Sequence, residues 1–277
     1  MVISDPIDAA HALAELMRDT TTLAITGAGI STDSGLPDYR GQGTTEKPSI
    51  EYDMFVDDPV WQRWVWQRNH ETWRVFESLE PSPGHTAIAR LEDAGFISGV
   101  ATQNIDGLHT KAGATNVWEL HGSFARVRCL DCGRVIPREE YAADLDALNP
   151  NWPQYDRDPA VLATADRADA EASTFKVAPC SACGGLMKPA VVFFGEGLPS
   201  DDMDAAMRAA TEADVALVVG SSLVVNTGMW ITRQAWATGS PLAIINYGPT
   251  AADGIVDLRI DAGASETLEA LADLLGA

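Results

Sequence analysis

The four cysteines of this chain, Cys129, Cys132, Cys180 and Cys183, form two C-x-x-C pairs with 47 residues between Cys132 and Cys180. No other feature constrains the fold as much. A C-x-x-C turn sets two thiolates on one side of an ion, so two such turns complete the tetrahedral shell of a structural zinc. Both pairs run into glycine, at Gly133 and at Gly184-Gly185, which permits the left-handed backbone that turns amides toward the sulfurs. Two disulfides or a redox pair are the alternatives. The N-terminal stretch shows no basic segment followed by an apolar one, so no export signal is expected, and disulfides are disfavoured. A redox motif would not predict two matching pairs. Four sulfur ligands leave no open coordination position, so the expected zinc is structural. The gap exceeds the usual ~15–20 residues of a zinc ribbon, and an insertion is expected within it.

The rest of the chain alternates between two periods. Asp5-Pro6 opens an amphipathic helix through Met17, and Thr22–Thr26 is a short apolar strand. Asp58-Pro59 opens a helix carrying Trp61, Trp64, Trp66 and Trp73, most simply core residues. A helix over 85–94, strands over 97–102 and 115–120, and a strand over 190–194 follow. Then come helix 201–211, strand 215–219, helix 228–238, strand 242–245 and helix 265–275. Such alternation predicts an α/β fold with a doubly wound, Rossmann-like parallel sheet, whose ligands bind beyond the carboxyl ends of its strands. Segments 41–84 and 126–187 interrupt the alternation. They are expected to form a second, smaller domain, a helical module with a zinc ribbon, inserted in two pieces. Residues 1–40, 85–125 and 188–277 are expected to form the dinucleotide-binding domain.

At 277 residues the chain is long enough for one large or two modest domains. It carries 40 acidic and 19 basic side chains, a formal charge of −21. That balance disfavours nucleic acid and anionic membranes, because phosphate neutralisation needs Lys and Arg. It permits steering of basic peptides, although a solvated acidic surface is the simpler reading. No window reaches the ~18–20 apolar residues of a membrane span.

The chemistry-bearing residues follow the expected strands. After the first come Gly27, Ala28, Gly29, Ile30 and Ser31, continuing through Gly35-Leu36-Pro37 to Asp38, Tyr39 and Arg40. A Gly-x-Gly turn at this place lets backbone approach a pyrophosphate; alone it is a weak signal, and Thr32 stands where a third glycine would complete the dinucleotide fingerprint. The next strand end gives Gln103, Asn104, Ile105 and Asp106, whose amides and carboxylate suit a ribose and a carboxamide. The third gives His121 before Gly122. Among five histidines it is the best placed general base; His109 is read as supporting structure. Later strand ends give Gly220, Ser221 and Ser222, then Asn246, Tyr247 and Gly248, suited to the adenosine half of a dinucleotide.

Taken together, the segments GAGISTDSGLPDYR, TQNIDGLH, ELHG, KPAVVFFGE, VVGSSLVV and the Ile245-Asn246 pair, with the paired cysteines, resemble the sirtuin family of NAD-dependent protein lysine deacylases over roughly 20–275. The details are most similar to class II sirtuins. The resemblance implies that NAD lies on the Gly27–Gly29 turn, with nicotinamide near Ile30 and Asp106, Asn104 at the ribose and Tyr39 and Arg40 closing over the cofactor. It also implies that acyl-lysine oxygen displaces nicotinamide to give an alkylimidate. His121 then takes a proton from the ribose hydroxyls, and hydrolysis yields lysine and O-acyl-ADP-ribose. Substrate contacts are implied for Val192 and Phe193 at the acyl group, and for Gly195, Glu196, Gly197, Leu223 and Val224 along an added peptide strand. Ala264 stands where many relatives carry an adenine-contacting Cys, so a backbone contact is the one expected. No Tyr-x-x-Arg stands ready for acidic acyl groups, which argues against succinyl or malonyl substrates.

The expected partners are acyl-lysine proteins or peptides and no nucleic acid or membrane; the expected state is a monomer in a bacterial cytoplasm. Two other readings remain: a mono-ADP-ribosyltransferase using the same pocket, and a non-catalytic zinc-ribbon adaptor that senses NAD. The intact Asn104, Asp106 and His121 set weighs against the adaptor.

Overall fold

The computed structural model describes residues 2–37, 50–152 and 167–277. The chain divides into two units, the first spanning Met1–Asp38, Glu80–His121 and Pro199–Ala277, the second Tyr39–Leu79 and Gly122–Leu198. Elements are numbered in chain order across both.

The first unit holds strands β1 (Val2–Ile3), β2 (Thr22–Thr26), β3 (Ile97–Thr102), β4 (Val117–Glu119), β8 (Val215–Val219), β9 (Leu242–Ile245) and β10 (Leu258–Ile260). Its helices are α1 (Pro6–Met17), α4 (Pro83–Asp93), α5 (Leu108–Lys111), α8 (Ser200–Glu212), α9 (Asn226–Ala237) and α10 (Ala264–Leu275). The strands form one sheet in the order β1-β10-β9-β8-β2-β3-β4, and every pairing is parallel. Helices cover both faces. Ala24, Leu217 and Val219 pack with Leu13, Met17, Ile88 and Leu268 of α1, α4 and α10. Leu23, Ile25, Ala216 and Val218 pack with Ala206, Ala210, Ile231 and Ala235 of α8 and α9. Burial on both sides is why β8 and β9 read as unbroken apolar runs and β2 as an apolar run between two buried threonines. Asp5 caps α1 by accepting from the amides of Ile7 and Asp8.

The second unit holds α2 (Tyr52–Asp57), α3 (Pro59–Ser78), β5 (Gly122–Cys129), β6 (Val135–Pro137), α6 (Arg138–Leu148), α7 (Arg167–Ala172) and β7 (Met187–Val191). Its sheet has the order β6-β5-β7 and is antiparallel. The tryptophan-rich helix is α3, capped by Asp58. Trp61, Trp64 and Trp66 are core residues with Phe55, Tyr141 and Phe175, and the Trp66 indole donates to the Met187 carbonyl at 2.9 Å.

Residues 188–198 and 122–125, expected with the larger sheet, lie in this second unit. The strand expected over 190–194 is instead β7, displaced toward the N-terminus, because Met187–Pro189 pair antiparallel with Val127–Cys129. Residues 80–84 belong to the first unit, since Pro83 opens α4. Among the described residues no helix is long and apolar enough to cross a membrane.

Candidate active site and metal centre

The parallel register levels the strand ends. Thr26 pairs with Thr102 and Val219, Thr102 with Glu119, Val219 with Ile245, and Ile245 with Ile260. The chain order reverses between β2 and β8, the topological switch point where open α/β sheets bind ligands. The candidate residues of this unit, apart from Ala264, follow one of these ends.

At the switch point the loops after β2 and β8 meet backbone to backbone. The Gly27 amide donates to the Val219 carbonyl at 3.1 Å and the Gly29 amide to the Gly220 carbonyl at 2.8 Å. A Cβ on Gly29 would stand 2.7 Å from Gly220 Cα, and one on Gly27 2.8 Å from Ser221 Cβ. Any side chain would therefore force the loops apart. Ala28–Ile30 and Thr32–Ser34 then wind as two 3-10 turns. Ile30 and Ser31 are buried, and Ala28 is half-buried. Asp38, Tyr39 and Arg40 lie outside the described residues.

The β2 and β3 loops are also tied by side chains. Asn104 Nδ2 donates to the Gly27 carbonyl and to Ser31 Oγ, each at 3.1 Å. Ser31 Oγ donates to Asp106 Oδ2 at 2.7 Å, and Asp106 Oδ1 accepts the Leu108 amide at 3.0 Å. Ile105 is half-buried between them in sequence. Behind this group two histidines lie edge to face, His85 and His109, with ring centroids 4.6 Å apart. His85 forms a capping box with Ser82 at the start of α4, and His109 Nε2 meets Thr26 Oγ1 at 2.9 Å. Burial pushes both well down, His85 to about 4, with the Asp106 carboxylate opposing the shift at His85.

His121 is half-buried at the end of the β4 segment. Its Nδ1 is 2.8 Å from the Gln103 carbonyl oxygen and its Nε2 is 2.8 Å from Thr227 Oγ1. Burial lowers its pKa and the Gln103 carbonyl partly offsets this, so the imidazole is neutral and basic near pH 7. Ser221 Oγ donates to Gln103 Oε1 at 2.8 Å. Ser222 is half-buried, Leu223 buried and Val224 exposed; Leu223 adopts a φ of 55°, a conformation that costs a branched residue energy and marks functional loops. Beyond β9, Asn246 Nδ2 donates to the Tyr247 carbonyl at 2.7 Å and the Gly248 amide to Asp261 Oδ1 at 3.2 Å. Tyr247 is exposed. Its hydroxyl would lie 3.5 Å from a Cβ on Gly263, the residue before Ala264 at the start of α10. The β9 loop and Ala264 are thus brought together.

In the second unit the segment after β7 is clasped by a buried cation. Lys188 Nζ lies 2.8 Å from Glu196 Oε2 and 4.1 Å from the Phe193 ring centroid. Glu196 also accepts the Phe193 amide at 2.9 Å and pairs with Arg128 at 3.1 Å. Burial lowers Lys188 to about 8 against the pull of Glu196. Val192 and Phe193 are half-buried, and Gly195 and Gly197 are exposed.

The four cysteine sulfurs lie within 4.8 Å of one another, with Cys129–Cys183 at 3.5 Å and Cys132–Cys180 at 3.8 Å. A tetrahedral zinc with Zn–S of ~2.3 Å sets its sulfurs about 3.8 Å apart, so the cluster fits that ion. The separations are far too long for disulfides. Gly133 and Gly184 have φ of 73° and 77°, and their amides donate to the Cys129 and Cys180 carbonyls. The two turns are joined by Asp131, which accepts the Leu186 amide at 2.8 Å.

Sequence reasoning gave no role to Thr227, Lys188 or His85. Thr227 acts through neighbours remote in the chain; His85 bonds Ser82 three residues away and meets His109 only in the fold; Lys188 stood within a quoted motif, where a lysine heading an apolar run was the available signal.

The Sir2 family model matches residues 27–227. "NAD-dependent protein deacetylase 1" of Mycobacterium avium (strain 104) is 46% identical over 254 residues, covering 91% of this chain and 90% of that protein. "NAD-dependent protein lipoamidase sirtuin-4, mitochondrial" of Homo sapiens is 39% identical, covering 96% and 87%. A solved structure described as "Structural Basis for the Mechanism and Regulation of Sir2 Enzymes" superposes with a TM-score of 0.75 at 31% identity, covering 97% of this chain and 98% of that one. Another, "Sir2-p53 peptide-NAD+", gives 0.72 at 29% identity, covering 96% and 98%.

Proposed function

The chain belongs to the Sir2 family, and from that premise we propose how its own residues divide the work. It is an NAD-dependent protein deacylase acting on acyl-lysine, with a four-cysteine cluster suited to one structural zinc. NAD, when bound, supplies the ribose that accepts the acyl group and the nicotinamide that leaves.

The observation that carries the assignment is the His121 environment. The Gln103 carbonyl can only accept, so the Nδ1 facing it carries the proton. Nε2 is then the acceptor nitrogen of a neutral imidazole, the form a general base needs. Its role is to take a proton from a ribose hydroxyl after nicotinamide has left. Ile30 and Asp106 are assigned to nicotinamide and Asn104, linked to Asp106 through Ser31, to the ribose beside it, with Ser31, Gln103 and Ile105 as further cofactor contacts. The Gly27 and Gly29 amides are used within the protein, so these glycines serve by close backbone approach, and the Ala28 amide is assigned to the pyrophosphate. Gly220, Ser221 and Ser222, with Asn246, Tyr247, Gly248 and Ala264, are assigned to the adenosine half; Asp38, Tyr39 and Arg40 keep the role the resemblance implies. Substrate contacts are assigned to Leu223 and Val224 in the first unit and to Val192, Phe193, Gly195, Glu196 and Gly197 in the second. Cys129, Cys132, Cys180 and Cys183 would hold zinc, which supplies a cross-link and no reactive position. The bacterial relatives support a cytoplasmic place of action.

The test is one peptide bearing acyl groups from acetyl to long-chain, incubated with NAD and followed by nicotinamide release. Release that depends on the acyl peptide supports the reading. Labelled ADP-ribose fixed on protein with no acyl peptide present would instead indicate ADP-ribosyl transfer.

A further inference from the structure

The Thr227 hydroxyl makes an unusual pair of contacts for a residue in the first turn of a helix. It serves no backbone amide of α9; it bonds His121 Nε2 at 2.8 Å and Gln103 Nε2 at 3.0 Å. Thr227 is buried, so water does not compete freely for these contacts.

The proton positions in this group follow from what each atom can do. The Leu223 amide donates to Ser221 Oγ at 3.2 Å, which leaves the serine proton for Gln103 Oε1. The Gln103 carboxamide therefore turns its NH2 toward Thr227, which accepts. The threonine proton is left for His121 Nε2, and the Nδ1 proton returns to the Gln103 backbone carbonyl. The chain of donors runs one way and both ends close on Gln103. Gly228 belongs to the same construction. A Cβ there would stand 2.7 Å from Gln103 Oε1 and 2.8 Å from its Cδ, so the residue after Thr227 must lack a side chain for the carboxamide to lie where it does.

We propose that Thr227 is a positioning residue for His121, its hydroxyl holding the imidazole with Nε2 ready to accept. The role in catalysis rests on the deacylase reading above. A ribose hydroxyl that gives its proton to Nε2 replaces one donor by another: the ribose oxygen loses the proton, Nε2 gains it, and Thr227 stays protonated throughout. A hydrogen bond donated to the neutral ring also disfavours the imidazolium, which keeps the base free of a proton at lower pH.

Thr227→Val removes the hydroxyl at nearly constant volume, and Thr227→Ser restores it. In the full chain without NAD, nitrogen-15 titration of the His121 ring should show the valine variant shifted up by about half to one pH unit, with serine back at the wild-type value. In turnover, the valine variant should lose about tenfold in deacylation rate with the KM for NAD unchanged. Exchange of labelled nicotinamide, which precedes the histidine step, should be preserved. Superimposable titrations of the wild-type and valine proteins, or a serine variant as impaired as valine, would overturn the proposal. If the valine variant does not fold, the wild-type protein still decides. A slowly exchanging Thr227 hydroxyl proton with a nuclear Overhauser contact to the His121 ring is expected, and a freely exchanging hydroxyl overturns the proposal. The ligand-free measurements stand even if no deacylation is found, so the failure of this inference and of the functional reading are distinguishable.

Discussion

The two units solve the problem of holding polar loops in place by different means. In the first, a sheet of seven parallel strands whose central members β2, β8 and β9 are buried on both faces fixes where the loops begin, so Gly27, Gln103 and Gly220 emerge at one level. In the second, three antiparallel strands, of which the longest, β5, leaves three residues exposed, supply less buried sheet. Cross-links take over: four cysteines within 4.8 Å, Arg138 with its guanidinium 5.6 and 5.2 Å from the Trp66 and Trp73 rings, and Lys188 on Glu196. Precision can come from register or from point attachments, and only the latter depends on a metal.

The largest expected effect tests that dependence. Structural zinc binds zinc-finger peptides with ~10–16 kcal/mol of apparent free energy that is also folding free energy. Cys180→Ser, or chelation, should therefore abolish hydrogen-exchange protection in 122–148 and 187–191 while β2, β3 and β8 stay protected. Equal loss in both units would break the contrast. Next, His121→Ala should lower deacylation by ~10²–10⁴-fold and leave the exchange pattern of both units unchanged, because His121 sits after the strand rather than within it.

Acid should separate the units in the milder range. His85 and His109 of the first unit are depressed by burial, His85 to about 4. A depressed histidine binds more protons unfolded than folded. Its stabilisation is complete above the unfolded pKa near ~6.5 and is lost as pH falls through the folded value. The two rings, packed against each other, should lose this stabilisation together over that range. In the second unit His70 is also lowered by burial, with Arg138 pushing the same way, but Asp146 at 2.9 Å opposes the shift. Acid unfolding followed by exchange should therefore reach the first unit's α4 segment before α3; the reverse order would contradict the account. The smallest effect compares two helix caps. Asp5→Ala in the first unit should cost about 1 kcal/mol in denaturant unfolding. Asp58→Ala should cost more, because Asp58 also pairs with Arg167.

Much of this was legible in the sequence, for a reason that differs by unit. Residues 215–219 and 242–245 read as strands because burial on both faces leaves them wholly apolar; 22–26 and 97–102 read so because their few polar residues are small Thr and Ser within an apolar run. The short strands β1, at the sheet edge, and β10, beside it, leave too few residues for any period to show. In the second unit, β5 places Arg126 and Arg128 exposed on either side of buried Val127, a period-two signal too short to stand out beside the metal-binding turn that follows it. The apolar run 190–194 suggested a parallel strand. Instead Phe193 packs edge to face on Phe55 at 5.5 Å and lies over Lys188, contacts that no local pattern encodes. The cysteine spacing was readable because metal geometry is a local constraint. The role of Thr227 was not, because residues 103, 121 and 227 meet only when β3, β4 and α9 are assembled.

The most direct measurement is a product balance on the purified chain with NAD and an acyl-lysine peptide. The account predicts nicotinamide, free lysine peptide and O-acyl-ADP-ribose in equal amounts, with the last two lost in His121→Ala. Deacylated peptide formed without consumption of NAD, or with the acyl group released directly as the free acid, would contradict it.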